Sequence, residues 1–199
     1  MPPQDLAGLS PTATRILDAA KTIVAERGFA KLTMAEVEKE AGANRALVAY
    51  YFGSKAGLVS ALVDSLFQDS SSEPVEETQE DSEQSLRTVV FLEWQRRVST
   101  NDRVNRMLYE LLPQALKDQQ VRARFADEYR LYRAIGADRL SSAPVKLTEE
   151  QADALAAVSI AVLEGLAIQR ALDPDGFDHD KAWRCWRDVI GHYLELPES

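Results

Sequence analysis

"GANRALVAYYFGSKAGL", residues 42–58, is the stretch on which the reading of this chain turns. It opens on a turn signal, supplies an asparagine able to cap a helix, and sets two adjacent tyrosines between one arginine and one lysine. A helix is predicted from Asn44 to about Tyr51. At about 100° per residue, Arg45, Ala46, Ala49 and Tyr50 share one side of it, and Leu47, Val48, Tyr51 and Phe52 share the other. The first side is small, flat and polar-tipped, as approach to base edges requires; the second is made for packing. Two readings fit: a helix that lies in a DNA groove, or an amphipathic segment whose tyrosines are half-buried filling.

The flanking sequence narrows the choice. Pro11 and Thr12 open a first helix with Ile16, Ala20, Ile23 and Val24 at helical spacing, and Gly28 closes it. Thr33 with Glu36 three residues on forms the pattern of a capping box for a second helix, with Val37 and Ala41 inward and Gly42 as its stop. Gly53 and Ser54 break the third helix, and Lys55 begins a fourth with Leu58, Val59, Leu62, Val63 and Leu66 on its inner side. Two short helices joined by a three-residue turn that starts with glycine predict helix-turn-helix geometry, a pattern that any αα-hairpin shares.

In that geometry each outer side chain has a chemistry to offer. Arg45 can fork onto guanine O6 and N7, Ala46 and Ala49 let the helix sit deep, and Tyr50 can give its ring to a thymine methyl or its hydroxyl to phosphate. Tyr51 can pack its ring inward while its hydroxyl reaches the backbone of one strand. Lys55, with the free N–H groups at the start of the fourth helix, forms a natural phosphate site, and Thr33 at the start of the second helix forms another.

Charge first argues against such a partner, since the 199 residues carry a formal −9. Residues 1–65, however, hold seven Lys or Arg (Arg15, Lys21, Arg27, Lys31, Lys39, Arg45, Lys55) and seven acids (Asp5, Asp18, Glu26, Glu36, Glu38, Glu40, Asp64), so the front is neutral. The remaining 16 basic and 25 acidic residues put the whole excess on the body. Residues 69–85, "DSSSEPVEETQEDSEQS", carry seven acids and no Lys or Arg, which predicts a solvated connector.

From Leu86 the spacing is helical to the end, interrupted at Pro113, at "SSAP" (141–144) and at "DPDGFD" (173–178). Helices are predicted at about 86–99, 102–114, 118–141, 148–171 and 178–195, with no strand alternation, so the fold class is all-α. Phe91, Trp94, Met107, Tyr109, Phe125, Tyr129 and Tyr132 supply an apolar wall with a few hydroxyls, suited to an apolar or aromatic small molecule or to plain core filling. Arg97, Arg130 and Glu93 are candidate polar anchors or solvated charges. The helix over 148–171 has Leu155, Val158, Val162 and Leu166 along one stripe and Ala154, Ala157, Ala161 and Gly165 along a neighbouring one. The last helix has Trp183, Trp186, Ile190 and Tyr193, widened by Val189 and Leu194. Two such stripes predict a four-helix interface between two copies, or burial of both within one.

Enzyme chemistry finds little support. The single Cys185 excludes an internal disulfide framework and any multi-cysteine zinc site. His179 and His192 are the only histidines and stand in neither metal-ligand nor triad spacing. "DPDGFDHD" has the look of a calcium loop but lacks the terminal glutamate and the oxygen spacing, and no glycine-rich phosphate cradle occurs, so no metal and no cofactor is expected. The N-terminus has neither a basic leader nor an apolar run, and the most apolar stretch, 155–163, is too short to cross a bilayer, which together predict a cytoplasmic protein.

The run "ATRILDAAKTIVAERGFAKLTMAEVEKEAGANRALVAYYFGSKAGLVSALV" resembles the N-terminal DNA-binding domain of the tetracycline-repressor (TetR) family of bacterial transcriptional regulators. "AERGF", "LTM-EVEKEAG" and "YYFGSKAGL" carry the resemblance over about a quarter of the chain. It implies that Thr33, Tyr51 and Lys55 contact phosphate and that Arg45, Ala46 and Tyr50 face bases; Asn44, the cap of the same helix, is placed with them at the DNA. Members often have tyrosine where this chain has Ala49, so one phosphate contact is missing, and Tyr50 either replaces it or reads a base.

The resemblance also implies a division into a disordered N-terminus (1–10), a helix-turn-helix domain (11–66) and a helical ligand-binding and dimerisation domain (67–199) whose last two helices pair across a two-fold axis. The expected protein is a dimeric, ligand-responsive repressor that binds a pseudo-palindromic double-stranded operator and is released by a small-molecule effector. The alternative is a helical interaction dimer without DNA binding.

Overall fold

Ser10 starts the first helix: its hydroxyl accepts from the Ala13 amide at 3.2 Å, and Pro11 occupies the first helical position, where a missing N–H costs nothing. The computed structural model of the protein describes residues 8–71 and 83–196, with side chains left aside over 69–71 and 83–85. Of the N-terminal segment 1–10 predicted to be disordered, residues 1–7 lie outside the described residues, as does the central part of the acidic connector, while Ser10 serves as the cap of the first helix. Among those described, the regular structure is helical throughout: α1 Pro11–Arg27, a 3-10 turn Phe29–Lys31, α2 Met34–Ala41, α3 Arg45–Phe52, α4 Lys55–Ser71, α5 Glu83–Ser99, α6 Asp102–Ala115, α7 Gln119–Leu140, α8 Glu149–Leu172 and α9 His179–Tyr193. By internal packing the chain forms two units, Met1–Ser72 with Arg103–Glu128, and Glu73–Asp102 with Tyr129–Ser199.

In the first unit α1 is the central post. Ile16, Ile23 and Val24 are fully buried along one of its sides, and Val37, Val48 and Leu58 close on them from α2, α3 and α4. Asp64 on α4 meets Arg124 on α7 in a buried fork, with Arg124 Nε donating to Oδ1 at 3.0 Å and Nη2 to Oδ2 at 2.5 Å. The rings of Phe67 and Phe125 cross edge-on at 5.9 Å beside this pair.

Where predicted and observed elements differ, the cause is local. The Thr33 hydroxyl caps α2 by accepting from the Glu36 amide at 3.2 Å, but the reciprocal arm of the predicted capping box does not form. The Thr33 amide is already given to the Lys31 carbonyl at 2.8 Å by the 3-10 turn, which periodicity could not show, and the Glu36 carboxylate turns to Arg27. A complete box stands instead at Thr148 and Gln151, at the start of α8. Pro113 lies inside α6, in its last turn, where the helix runs only two residues further.

In the second unit the inner face of α8 lies beside the predicted stripe, of which Leu155 and Leu166 pack partly buried against the core. Ala152, Ala156, Ser159, Leu163 and Ala167 are buried, whereas Val158 is half exposed at 50%. Small residues are needed on the inner face because the neighbouring helix passes close: a Cβ at Gly136 of α7 would stand 3.1 Å from Ala156 Cβ. Trp183 and Ile190 of α9 and Leu194, its C-cap, join the core with Phe91 and Leu140, while Val189 and Tyr193 remain on the outside. The whole of α8, at 24 residues, is long and apolar enough by length and composition to cross a membrane, which the shorter stretch 155–163 did not reveal; that apolarity serves two faces, one buried and one exposed.

Candidate nucleic-acid interface and effector site

Asn44 sets the orientation of α3. Its Oδ1 accepts from the Leu47 amide at 2.9 Å, which fixes the first turn and leaves the amide NH2 outward. The wheel drawn from the sequence then holds residue by residue. Val48 and Phe52 are buried and Leu47 and Tyr51 half-buried, while Arg45, Ala46, Ala49 and Tyr50 are exposed, Tyr50 at 80%. The rings of Tyr50 and Tyr51 meet edge-on at 5.0 Å, so the half-buried Tyr51 braces the exposed Tyr50.

The junction between α3 and α4 is drawn tight. The two helices meet at 62°, and a Cβ on Gly57 would fall 2.0 Å from the Phe52 carbonyl oxygen, so no other residue fits there without moving the backbone. Ser54 begins α4, with its hydroxyl accepting from the Gly57 amide at 3.2 Å. Lys55, the first residue of α4, is exposed, and its ammonium stands 4.8 Å above the centre of the Phe29 ring. Thr33 is also exposed; with a lone pair given to the Glu36 amide, its hydroxyl proton remains available to an outside acceptor.

The acids that the sequence places near this face are partly withdrawn from it. Arg27 at the end of α1 holds Glu36 at 3.5 Å and Glu40 at 2.5 Å, so two of the three carboxylates of α2 share one guanidinium. Small exposed residues between an exposed arginine and a lysine resting on an aromatic ring, with most of the local negative charge paired, form a surface able to enter a major groove and grip the flanking phosphates.

The residues predicted to line an effector site fall in both units. Met107, Tyr109 and Phe125 belong to the first, where Met107 and Phe125 are buried core. Phe91, Trp94 and Tyr129 belong to the second. There Phe91 and Trp94 stack at 5.7 Å, and Trp94 lies 5.7 Å from Tyr132 at a tilt of 41°. One turn from Tyr132 along α7, the Tyr129 hydroxyl donates to the carboxylate of Glu164 on α8. Burial pushes the Glu164 carboxyl above the usual carboxylate range, against the pull of the tyrosine's hydrogen bond. Burial likewise raises Tyr129, with the neighbouring carboxylate adding to it. Gln95, one turn after Phe91 on α5, is 1% exposed, and neither end of its amide finds a hydrogen-bond partner among the described residues. Sequence reasoning missed Glu164 and Gln95 because each looks like an ordinary polar helix residue; only the facing helix makes it interior.

Ser99, His179 and Asp180 come together as the sequence did not foresee, in an order that mimics a catalytic triad. Ser99 Oγ lies 2.8 Å from His179 Nε2 and 2.7 Å from the Arg96 carbonyl oxygen, a second acceptor for its proton. Ser99 and His179 are both buried, so the pair stands as a packed polar contact inside the unit.

Known proteins resemble this chain in sequence and in fold. The sequence family described as "Bacterial regulatory proteins, tetR family" matches residues 16–62, and that described as "BetI-type transcriptional repressor, C-terminal" matches residues 82–195. The HTH-type transcriptional regulator BetI of Paraburkholderia xenovorans is 26% identical over 187 residues, covering 92% of this chain and 94% of its own. The HTH-type transcriptional regulator TtgR of Pseudomonas putida is 39% identical over 57 residues, 29% of this chain and 27% of its own. A transcriptional regulator from Saccharomonospora viridis, solved in complex with choline, superposes with a TM-score of 0.72 at 21% identity, over 94% of this chain and 98% of its own. The chain belongs to the TetR family of bacterial transcriptional regulators, with a C-terminal region of the BetI type.

Proposed function

We propose that this TetR-family regulator, a non-enzymatic DNA-binding protein, acts in the cytoplasm as a dimeric repressor of a pseudo-palindromic operator and is released from it by a small organic cation. The observation that carries the DNA half is the exposed rim of α3 with Tyr50 at 80% beside Arg45, framed by Thr33 and Lys55. Arg45, Ala46 and Tyr50 read bases, and Thr33, Asn44, Tyr51 and Lys55 hold phosphates. With Ala49 in place of a larger side chain, Tyr50 is the aromatic group that reaches furthest from the helix.

Dimerisation is supported by what α8 and α9 leave outside. Val158, Ile168 and Leu172 on α8 and Val189 and Tyr193 on α9 are all at least 43% exposed, an apolar surface that a second copy would cover by two-fold symmetry.

The effector class is supported by the partly buried carboxylate of Glu164. A partly buried glutamate is costly without a positive partner; here the carboxylate accepts from Tyr129, and the same unit carries the linked rings of Tyr132, Trp94 and Phe91, whose negative faces favour a cation as well. Gln95 adds a hydrogen-bonding group for a polar end. The choline held by the structural neighbour from Saccharomonospora viridis is a molecule of this class. The aromatic side chains alone point to an apolar or aromatic ligand; the added carboxylate turns the reading toward positive charge. Effector binding shifts the population toward a form with weaker operator affinity.

Two titrations test this reading. Duplexes selected from a randomised pool by the full-length chain should be bound specifically, with affinity falling linearly in log–log against salt; a chain that retains no duplex even at low salt would instead be the interaction dimer without DNA binding. Choline should then release the duplex while 3,3-dimethylbutan-1-ol, its uncharged carbon isostere, should not, and Glu164→Gln should remove that preference. Equal release by both compounds would overturn the cation assignment.

A further inference from the structure

We infer that Glu110 is a positioning residue for DNA binding: its hydrogen bond to the Phe29 amide holds the corner between α1 and α2, and with it the ring that carries the Lys55 ammonium. The inference rests on the operator-binding role proposed above. The corner is a weak point in the backbone. At Gly28 φ is 82° and ψ is 159°, a conformation that only glycine adopts readily, and it ends α1 by turning the Phe29 N–H away from the helical carbonyl it would otherwise meet. Glu110 on α6 supplies the acceptor from 81 residues further along, with Oε2 2.7 Å from the Phe29 nitrogen. The same carboxylate lies against Gly28, where an added Cβ would stand 3.3 Å from Oε2. A charge-assisted bond to a backbone amide is short and directional, so it fixes where the Phe29 side chain begins.

That side chain matters because of what rests on it. The Lys55 ammonium is 4.8 Å from the centre of the Phe29 ring, close enough for a cation–π contact that restrains a long, flexible side chain on an exposed helix start. The order is therefore Glu110 to the Phe29 backbone, Phe29 ring to Lys55, and Lys55 to phosphate. Glu110 touches no DNA in this scheme; it sets the position of a residue that does.

The full-length protein and a duplex selected by the wild-type chain, titrated over a range of salt, test the role. Glu110→Ala should raise Kd about tenfold, a loss of about 1.4 kcal/mol, and lower the log–log salt slope by about 1.8, the equivalent of one phosphate contact from each protomer of the dimer. Glu110→Gln, whose side-chain carbonyl can accept the same bond, should stay within about twofold of wild type. Phe29→Leu, which keeps the bulk and removes the ring, should lose the same slope, and adding Lys55→Ala to Glu110→Ala should cost little more. A wild-type Kd and slope in Glu110→Ala, a Glu110→Gln as weak as Glu110→Ala, or full additivity with Lys55→Ala would overturn it. Should Glu110→Ala not fold, Glu110→Gln and Phe29→Leu decide the question through the slope. Because the wild type is measured in the same assay, failure of this role is distinct from failure of operator binding.

Discussion

The two units of this chain solve their polar and apolar requirements in different ways. The first closes on itself: its caps are made by Ser10, Thr33, Asn44 and Ser54, its buried charges by the Asp64–Arg124 fork, and its one awkward amide by Glu110. The second leaves matters open. Gln95, Ser159 and Trp186 have buried polar atoms without a partner among the described residues, and α8 and α9 keep apolar faces outside. A self-contained unit is suited to presenting a fixed surface to DNA. A unit with unanswered groups is suited to partners supplied from elsewhere, namely the proposed effector inside and the proposed second copy outside.

The contrast breaks most readily at the buried fork. Asp64→Ala leaves Arg124 buried without its counter-charge and should cost about 3–5 kcal/mol in urea-monitored stability, whereas the double replacement Asp64→Leu with Arg124→Met should recover most of it. A loss below about 1 kcal/mol would mean that the pair is wetter than its burial indicates. On the other side of the contrast, Val158→Glu should leave the monomer folded while shifting it from dimer to monomer in light scattering, with operator affinity falling by on the order of 100-fold because half-sites are then bound singly. An unchanged mass would remove the outward face of α8 from the interface.

Smaller effects sharpen the same comparison. Gly57→Ala forces a methyl against the Phe52 carbonyl and should destabilise the first unit by about 1–3 kcal/mol, visible as earlier melting with loss of duplex binding and no change in effector affinity. The smallest effect should be the pH response of His179. Burial holds its folded pKa below the ordinary value of about 6.5, so the fold favours the neutral ring. Stability should be full above that value and decline as pH falls through the window between it and the lower folded pKa, then level off. His179→Gln should flatten that step in thermal melts between about pH 7 and pH 5; a step that persists would have to come from another group.

Legibility in the sequence followed the range of the interactions. The rim of α3 was readable because capping, helical period and glycine stops act within a few residues, so Asn44 and the spacing of Val48 and Phe52 already fix which side faces out. The half-formed cap at Thr33 was not, since it depends on a 3-10 turn whose own amide competition decides the outcome. The inner face of α8 follows its hydrophobic pattern only in part, because size counts as well: Leu155 and Leu166 pack against the core, Ala156 faces in where Gly136 passes close, and Val158 is left outside. The aromatic residues of the body were each visible, yet Phe125 packs on Phe67 in the first unit while Phe91 stacks on Trp94 in the second. Nothing local separates those two fates.

By itself the sequence determined the helices, the outward set of Arg45, Ala46, Ala49 and Tyr50, and the family, because local hydrogen bonding and amphipathic period are written residue by residue. Only the tertiary structure decided that Glu110 reaches Phe29, that Glu164 is partly buried against Tyr129, and that Ser99 meets His179. Those pairs lie 35 to 81 residues apart. Whether a polar side chain meets water or a buried partner is set by which helix packs over it, a choice made by the summed burial of the whole core.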